Sequence, residues 1–202
     1  MSTNVDILVV LASASKARAK LLTSAGVKIV VRPARVDEDS ARKSLTKEGA
    51  GSREIAESLA ELKALGGASQ EEELLIAADQ VLVFNDKALG KAQNIEEATD
   101  RLRAFMGRKH ELITAACVAK NGSVIWRHVD TARLWMRPLS DTFLECYVDR
   151  NRQAVLQTTG GYELEGGGAQ LFSRIEGDYF SILGLPLIPI LGVLREHGAL
   201  RK

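Results

Sequence analysis

Residues 74–84 read Leu-Leu-Ile-Ala-Ala-Asp-Gln-Val-Leu-Val-Phe and are apolar except at Asp79 and Gln80. An apolar run of this length, followed by the turn residues Asn85 and Asp86, indicates a strand buried in a sheet. A carboxylate inside such a strand costs several kcal/mol unless a cation or a donor meets it. We therefore expect Asp79 to lie at a strand end or in a cleft. There it is either tied to a lysine or the backbone, or acts as a general base or metal ligand.

Helices and strands alternate on the amino-terminal side of this run. The apolar residues 5–12 predict a first strand, and Ser15 is placed to cap the helix that follows. Residues 27–31 predict a second strand. The spacing of isoleucine and leucine after the potential cap Ser52 predicts an amphipathic helix that stops at Gly66.

On the carboxyl-terminal side, Asn94 and Glu97 have the spacing of a capping box that starts a helix. Asn121-Gly122 is a strong hairpin signal joining two long strands between residues 110 and 137. The remaining predicted elements are a helix after Ser140, a strand at 171–175 and a helix after Pro186. Because strands occur both in a hairpin and between helices, we expect an α/β fold whose elongated mixed sheet and flanking helices form two lobes around a cleft.

The charge balance excludes several kinds of partner. The 202 residues include 27 Lys and Arg against 26 Asp and Glu, a net charge of +1, which gives no net electrostatic footprint for a nucleic acid polymer or an anionic membrane. A localised basic cleft is compatible with this balance. The longest apolar stretch, residues 179–194, is broken by glycines and prolines and is shorter than the ~20 residues of a membrane span. The cysteines and histidines lack zinc-site spacing. We expect a cytoplasmic chain with neither partner.

Several polar residues could meet a phosphate. Ser13 and Ser15 lie between the first strand and helix, with Arg18 one turn later, where free N–H groups favour an anion. Alternatively, Ser15 is simply an N-cap and Arg18 a solvated charge. Lys63 ends an amphipathic helix and Lys91 lies in a loop, both ordinary positions for surface lysines. Convergence of these cations with carboxylates would instead suit phosphoryl chemistry.

The glycine-rich residues 160–168 match neither a P-loop nor the dinucleotide-binding fingerprint. They form either a flexible turn or a loop that lets the backbone approach a flat ligand while Glu163 or Glu165 accepts hydrogen bonds. The acidic residues 37–39 have the solvent-facing character of most charged loops.

Six short segments follow one another along almost the entire chain. They are LASAS-x-x-R at 11–18, VDE at 36–38, ADQV at 78–81, GK at 90–91, EGDY at 176–179 and LGLP at 183–186. Their order and spacing resemble those of the Maf family of nucleotide pyrophosphatases. The resemblance implies one two-lobed domain over residues 1–202, with a fold like that of the inosine-triphosphate pyrophosphatases. It also implies a homodimer and a divalent cation, Mg²⁺ or Mn²⁺. The implied reaction cleaves a nucleoside triphosphate to monophosphate and pyrophosphate.

The resemblance also implies a role for eight residues. Asp79 matches the proton acceptor of the family, and Glu38 matches its second acidic residue near the metal. The implied catalytic residues are Asp79, Glu38 and Lys91, and the implied metal ligands are Asp79 and Glu38. The implied phosphate-binding residues are Ser13, Arg18 and Lys63, and Lys91 also matches a phosphate-binding position. The implied base-binding residues are Gln80 and Glu165.

The departures from the family pattern bear on the substrate. Ala17 stands where the family usually has an arginine, Ala92 where it has a proline, and Glu165 where the thymidine- and uridine-triphosphate branch has a glutamine. A carboxylate accepts hydrogen bonds only, so it suits the donor edge of guanine and opposes the carbonyls of thymine or uracil. In this respect the chain resembles the branch of the family that acts on 7-methylguanosine triphosphate, whose cationic ring would also be attracted to Glu165.

Two alternatives belong to other functional classes. The missing arginine at Ala17, with the association of the family with septum formation, fits a regulator that binds nucleotides but hydrolyses little. A structural or interaction protein, in which Asp79 is merely salt-bridged, is the other. Nucleotide binding without product would favour the first, and no nucleotide or metal binding would favour the second.

Overall fold

A computed structural model of the protein describes residues 7–67 and 73–201. Its strands are β1 (Leu8–Leu11), β2 (Ile29–Val31), β3 (Glu73–Phe84), β4 (Lys87–Leu89), β5 (Lys109–Lys120), β6 (Ser123–Met136) and β7 (Phe172–Glu176). Its helices are α1 (Lys16–Ser24), α2 (Glu38–Lys47), α3 (Ser52–Gly66), α4 (Ile95–Phe105), α5 (Asp141–Arg150), α6 (Arg152–Gln157), α7 (Tyr179–Ile182) and α8 (Leu187–Glu196), with a 3₁₀ turn at Gly167–Leu171. Within these two ranges, no helix has the length and apolar character needed to cross a bilayer.

The strands form one mixed sheet in the order β2-β1-β3-β5-β6-β7, with β4 paired to β3. Strand β1 lies between β2 and β3 and is parallel to both, so that Val10 pairs with Val30 on one side and Leu75 on the other. The β3–β4 and β6–β7 pairs are antiparallel. This mixed sheet with its helices confirms the predicted α/β class.

The turn between β5 and β6 confirms the predicted hairpin. Asn121 and Gly122 both have positive φ, at 50° and 75°, the backbone of a two-residue hairpin turn whose twist matches that of the flanking strands. Asparagine and glycine adopt this conformation at low cost. Asn121-Gly122 therefore predicted the hairpin correctly because the turn requires positive φ at both residues.

The described chain divides into two compact units. The first comprises the residues up to 80, residues 114–130 and those from 179 onward. Its core lies between the sheet and helices α1 and α8. It contains apolar side chains from β1, α1, β3, β5, α8 and the segments just after α1 and just before α8, namely Val9, Leu11, Leu22, Val27, Leu74, Ile76, Ala78, Ala116, Val118, Leu185, Leu187, Ile190, Val193 and Leu194. The alternation of β3 places every second residue on this face.

The second unit, residues 81–113 and 131–178, has an aromatic cluster around His110. The His110 ring stacks on Phe105 with centroids 4.6 Å apart, and its Nε2 lies 2.6 Å from the hydroxyl of Tyr162. Phe172 packs against both rings, 4.8 Å from Tyr162 and 5.8 Å from His110. Burial without a compensating charge lowers the pKa of His110 to about 4.

Some element boundaries differ from the predictions. Strand β1 begins at Leu8, and residues 5 and 6 of the predicted strand lie outside the described residues. Ser52 is the first residue of α3 and Gly51 takes the N-cap position, so the prediction that Ser52 caps this helix is wrong. The sequence analysis also missed β4, α6, α7 and the 3₁₀ turn, which are too short to show a period.

The buried His110 makes the stability of the fold depend on pH. Its pKa of about 4 in the folded chain lies below the ~6.5 of an unfolded chain, so the unfolded state binds more protons between these values. Stability should therefore fall as the pH drops through this range. Between pH 7 and pH 4 the difference in unfolding free energy between wild type and His110→Gln should shrink by about 3 kcal/mol, measured by urea denaturation.

His197→Gln, which removes a partly exposed histidine after α8, is the control for general acid effects. A wild-type to His110→Gln difference that stays constant with pH would show that the folded state tolerates a charged imidazole at His110.

Candidate active site

The position of Asp79 follows from the unequal lengths of two neighbouring strands. Strand β1 ends at Leu11, opposite Ile76, and the N–H of Ala12 donates to the carbonyl of Ile76 at 2.8 Å. Beyond that point β3 continues while the chain after β1 turns away. Asp79 is thus inside β3 yet just past the carboxyl end of its parallel neighbour, the edge where open α/β sheets bind ligands. Of the two expected positions, a strand end or a cleft, the first does not apply to β3, which continues to Phe84.

The carboxylate of Asp79 is buried and meets two cations. Its side chain is 5% exposed; Oδ1 lies 2.8 Å from Nζ of Lys63 and Oδ2 lies 3.4 Å from Nη2 of Arg42. The same Lys63 ammonium, 7% exposed, also lies 2.8 Å from Oε2 of Glu38. One buried ammonium therefore joins two carboxylates from different elements, as the convergence hypothesis predicts for Lys63, Asp79 and Glu38.

Helix α3 delivers Lys63 to this point because the lysine occupies an apolar position of the helix. Ile55, Leu59 and Lys63 are four residues apart, so they share the face that packs on the sheet. Ile55 and Leu59 are fully buried, and the aliphatic stem of Lys63 continues the apolar face while its ammonium reaches Asp79.

Helix α2 carries Glu38 and begins at that residue. Asp37 is its N-cap: its carboxylate accepts hydrogen bonds from the N–H of Ser40 at 3.0 Å and from its hydroxyl at 2.8 Å. These bonds lower the pKa of Asp37. Of the acidic residues 37–39, one therefore caps the helix and the next reaches Lys63, so these two are more than a solvent-facing cluster.

Arg42 belongs to the site and the sequence analysis missed it. It follows Glu38 by one helical turn, so the two share a face of α2, a signal that was available in the sequence once the helix start was known. Besides its contact with Asp79, the Nη1 nitrogen of Arg42 is buried and has no hydrogen-bond acceptor among the described residues. A buried N–H without an acceptor is costly, and an anion at this nitrogen would remove that cost.

Arg18 is buried and largely engaged by the protein. Its Nε donates to the carbonyl of Gly184 at 2.8 Å, and its Nη1 donates to the carbonyl of Ala78 at 2.7 Å and to Ser13 Oγ at 3.1 Å. Burial lowers the pKa of Arg18, opposed by the charges of Asp79 and Glu38, and a guanidinium stays protonated nonetheless. Arg18 thus joins the carboxylate cluster electrostatically while anchoring the backbone around it.

Ser13 and Ser15 divide the two roles that the sequence left open. Ser15 is the N-cap of α1, accepting from the N–H of Arg18 at 3.3 Å, which confirms the simpler interpretation of this serine. The other part of that interpretation, Arg18 as a solvated charge, is wrong because Arg18 is buried. Ser13 is buried, and its hydroxyl oxygen accepts from Arg18 and from the N–H of Ser15 at 3.2 Å. Its hydroxyl proton remains the group to donate to an anion.

Gln80 lies on the opposite face of β3 from Asp79, as the alternation of a strand requires. Its Nε2 donates to Thr114 Oγ1 at 2.8 Å and to the carbonyls of Ser181 and Ile182 at 3.0 and 3.1 Å. Two carbonyl acceptors fix the amide orientation. The nitrogen of Gln80 therefore holds α7 in place, while the predicted base-binding role of this residue stays a prediction.

Lys91 and Glu165 belong to the second unit, where both are exposed. Lys91 lies in the segment between β4 and α4. Glu165 lies in the glycine-rich segment, where the N–H groups of Gly166 and Gly168 donate to the carbonyl of Glu163 at 3.2 Å. A Cβ at Gly168 would come within 2.4 Å of that oxygen, so this glycine serves close backbone packing.

The two carboxylates that meet at Lys63 have the chemistry of ligands for a divalent cation. Within the described ranges, no group of three or more His, Cys, Asp or Glu side chains is placed to hold a metal. Asp79 and Glu38 nevertheless converge on a common cation, the Lys63 ammonium. Magnesium commonly takes one or two carboxylates and completes its shell with waters and substrate phosphates. The two carboxylates therefore fit such an ion.

Comparison with known proteins identifies the family of this chain. The family described as Maf-like protein matches residues 8–197. The chain belongs to the Maf family. Its relatives include a protein of Granulibacter bethesdensis named nucleoside triphosphate pyrophosphatase, 47% identical over 192 residues that cover 95% of this chain and 98% of the relative.

Maf relatives with two different names lie at similar identity. A nucleoside triphosphate pyrophosphatase of Caulobacter vibrioides is 46% identical over 192 residues, 95% of this chain and 96% of the relative. A 7-methyl-GTP pyrophosphatase of Rhizobium meliloti is 42% identical over 194 residues, 96% of this chain and 98% of the relative. The match over nearly the whole length confirms the family resemblance drawn from the six short segments.

The shared ammonium should make Lys63 essential for stability. Lys63→Met leaves the Asp79 carboxylate buried with only the longer Arg42 contact, and breaking a buried pair typically costs about 3–5 kcal/mol. Adding Asp79→Asn removes the stranded charge, and Glu38 is 47% exposed, so the double variant should recover more than half of that loss. Urea denaturation of the single and double variants measures both effects.

Lys20→Met, on the exposed side of α1, is the matched control and should change stability by less than about 0.5 kcal/mol. A loss below about 1 kcal/mol for Lys63→Met would mean that water, not Lys63, solvates Asp79.

Proposed function

We propose that this member of the Maf family hydrolyses a nucleoside triphosphate to the monophosphate and pyrophosphate, with Asp79 as the general base. The observation that carries the proposal is the buried Asp79 carboxylate, oriented by Lys63 and Arg42 at the carboxyl end of β1. The names of relatives that are 41–47% identical over nearly the full length support the reaction.

Asp79 retains the capacity to accept a proton from water. An ionised carboxylate offers about four lone-pair sites, and the ammonium of Lys63 and the guanidinium of Arg42 each occupy one oxygen from one direction. These two contacts fix the plane of the carboxylate. A water that donates to a remaining lone pair would be oriented for attack on the α-phosphorus, and a positioned base of this kind contributes about 10²–10⁴ in rate.

The cations around Asp79 exceed what a structural ion pair needs. Arg18, Arg42 and Lys63 carry three positive charges in one unit against the two carboxylates of Asp79 and Glu38. The surplus charge and the unpaired Nη1 of Arg42 suit a polyphosphate, whose charge must be offset as pyrophosphate departs. This surplus favours catalysis over a purely salt-bridged Asp79.

Asp79 and Glu38 are the residues that would hold the divalent cation, Mg²⁺ or Mn²⁺. When bound, such an ion supplies charge neutralisation of the phosphate oxygens. Lys63, which now neutralises both carboxylates, would then be available to donate to a phosphate oxygen. A homodimer also remains a proposal from the family resemblance.

A guanine-type base is the second part of the proposal. Glu165 is exposed in a segment with defined backbone hydrogen bonds, so its carboxylate is available to accept from the ring N–H and amino group of guanine. A 7-methylated ring is cationic and adds an electrostatic attraction. The relative named 7-methyl-GTP pyrophosphatase supports this choice.

Asp79→Asn should reduce kcat for pyrophosphate release by at least ~100-fold, because the amide cannot accept the proton from water. Purified chain is incubated with a panel of canonical and 7-methylated nucleoside triphosphates and Mg²⁺ or Mn²⁺, and the products are separated to show whether pyrophosphate or orthophosphate is released. Wild type should release pyrophosphate.

Asp86→Asn is the matched control, since Asp86 is exposed in the turn after β3 with φ of 61°, a conformation that asparagine tolerates. It should keep wild-type activity. Near-normal turnover by a folded Asp79→Asn chain would remove Asp79 from the role of base, and tight nucleotide binding without product in wild type would support a regulator instead.

Glu165→Gln should shift the preference between guanine and uracil nucleotides. The amide presents a donor to the carbonyls of uracil and loses one acceptor for guanine, so the ratio of kcat/KM for guanosine to uridine triphosphates should fall by about tenfold or more. Glu163→Gln, two residues away and also exposed, separates the two candidate glutamates. An unchanged ratio in Glu165→Gln would exclude its carboxylate from base recognition.

A further inference from the structure

The segment between β4 and α4, residues 90–94, carries Lys91 and has no regular secondary structure. Exposed segments of this kind normally move on the nanosecond to microsecond scale. A lysine that must meet a phosphate chain gains from a fixed backbone, because a misplacement of about 1 Å costs a large part of the catalytic effect. The contacts that hold this segment therefore determine how precisely the backbone of Lys91 is placed.

Arg101, on the second half of α4, holds the first residue of the segment. Its Nη1 donates to the carbonyl of Gly90, directly before Lys91, and also to the carbonyl of Thr159 at 2.8 Å. The Arg101 side chain is 11% exposed. One guanidinium nitrogen thus ties the Lys91 segment to the chain that enters the glycine-rich segment.

Glu97, one turn earlier on α4, holds the other end. Its Oε2 accepts from the N–H of Gln93 at 2.9 Å, while its Oε1 pairs with Nη2 of Arg101 at 2.9 Å. The predicted capping box would have joined Glu97 to the N–H of Asn94, and this half of the prediction is wrong. Asn94 does cap α4, accepting from the N–H of Glu97 at 2.8 Å.

The Arg101–Glu97 pair differs from an ordinary helix-surface ion pair. Arg103 and Asp100 form such a pair on the same helix at 2.9 Å, with Arg103 45% exposed, and pairs of this kind contribute only about 0.3–0.5 kcal/mol. Nη1 of Arg101 and Oε2 of Glu97 instead bind the backbone of residues 90, 93 and 159. Each partner orients the other, so the pair acts on the segment as one unit.

We propose that the Arg101–Glu97 pair is a positioning device that fixes residues 90–93 and thereby places the ammonium of Lys91 for the phosphate chain of the substrate. A contact of Lys91 with the phosphate chain is what the family resemblance implies, and this part of the proposal rests on the proposed function. The anchoring itself rests on the hydrogen bonds alone. Neither residue touches substrate; both act through Lys91.

Limited trypsin digestion tests the anchoring without any activity measurement. Trypsin cleaves the Lys91–Ala92 bond only when the segment opens, and charged hydrogen bonds of this kind make opening unfavourable. In Arg101→Met and Glu97→Met, cleavage after Lys91, followed by mass spectrometry, should be about tenfold faster than in wild type. Asp100→Asn, which breaks the neighbouring pair, should cleave like wild type. Circular dichroism confirms that α4 remains folded.

A double-mutant cycle tests the link to Lys91. Arg101→Met should lower kcat/KM for pyrophosphate release by about tenfold in the wild-type background and by less than about twofold in the Lys91→Ala background, because a residue that acts through Lys91 has nothing left to position. Arg101→Lys keeps the positive charge but lacks the planar fork, and should lie between wild type and Arg101→Met in both assays.

The outcomes separate the two proposals. Equal cleavage rates in wild type, Arg101→Met and Glu97→Met would overturn the anchoring, and additive losses in the cycle would overturn the link to Lys91. A wild-type chain that releases no pyrophosphate would overturn the proposed function, while the cleavage rates would still decide whether the pair holds the segment.

Discussion

The candidate site depends on the ion pairs of the Lys63 ammonium with Asp79 and Glu38. Removing a lysine and an aspartate from water costs several kcal/mol per charge, and the 2.8 Å contacts of Lys63 with Asp79 and Glu38 offset that cost. The same contacts join α3, β3 and α2. Because the apolar face of α3 fixes where Lys63 emerges, core packing determines where the two carboxylates meet. The geometry of this carboxylate cluster is therefore a consequence of helix amphipathicity as much as of the charged residues themselves.

The sequence predicted the fold wherever a period or a backbone requirement was present. The apolar run at 74–84 became β3, and Asn121-Gly122 became a hairpin turn with positive φ at both residues. Helices α6 and α7 have six and four residues, fewer than two turns, so they carry no readable period and depend on tertiary contacts such as those of Gln80 with α7. Such elements are not encoded locally.

The site was predictable to the extent that it repeats a family pattern. Asp79 stood out on physical grounds alone, because an acid in a buried strand requires a partner, but that partner was not identifiable from spacing. Arg42 belongs to no motif, and its approach to Asp79 depends on where α2 begins and on how that helix lies beside β3. The alternation of side chains along a strand did predict one feature of the candidate site: the adjacent residues Asp79 and Gln80 face opposite sides of the sheet.

The family usually has an arginine where this chain has Ala17, and Arg42 supplies positive charge to the candidate site from another helix. Neighbouring positions on a helix point about 100° apart, so a side chain at Ala17 would leave α1 in a different direction from Arg18, whose Nε and Nη1 are bound to protein oxygens. Besides Arg18, the candidate site has a second arginine, Arg42 on α2, whose guanidinium lies 3.4 Å from the Asp79 carboxylate. Because electrostatic stabilisation of a polyphosphate depends on the position of the charge more than on the element that carries it, the alanine does not by itself argue for a site that has lost its positive charge.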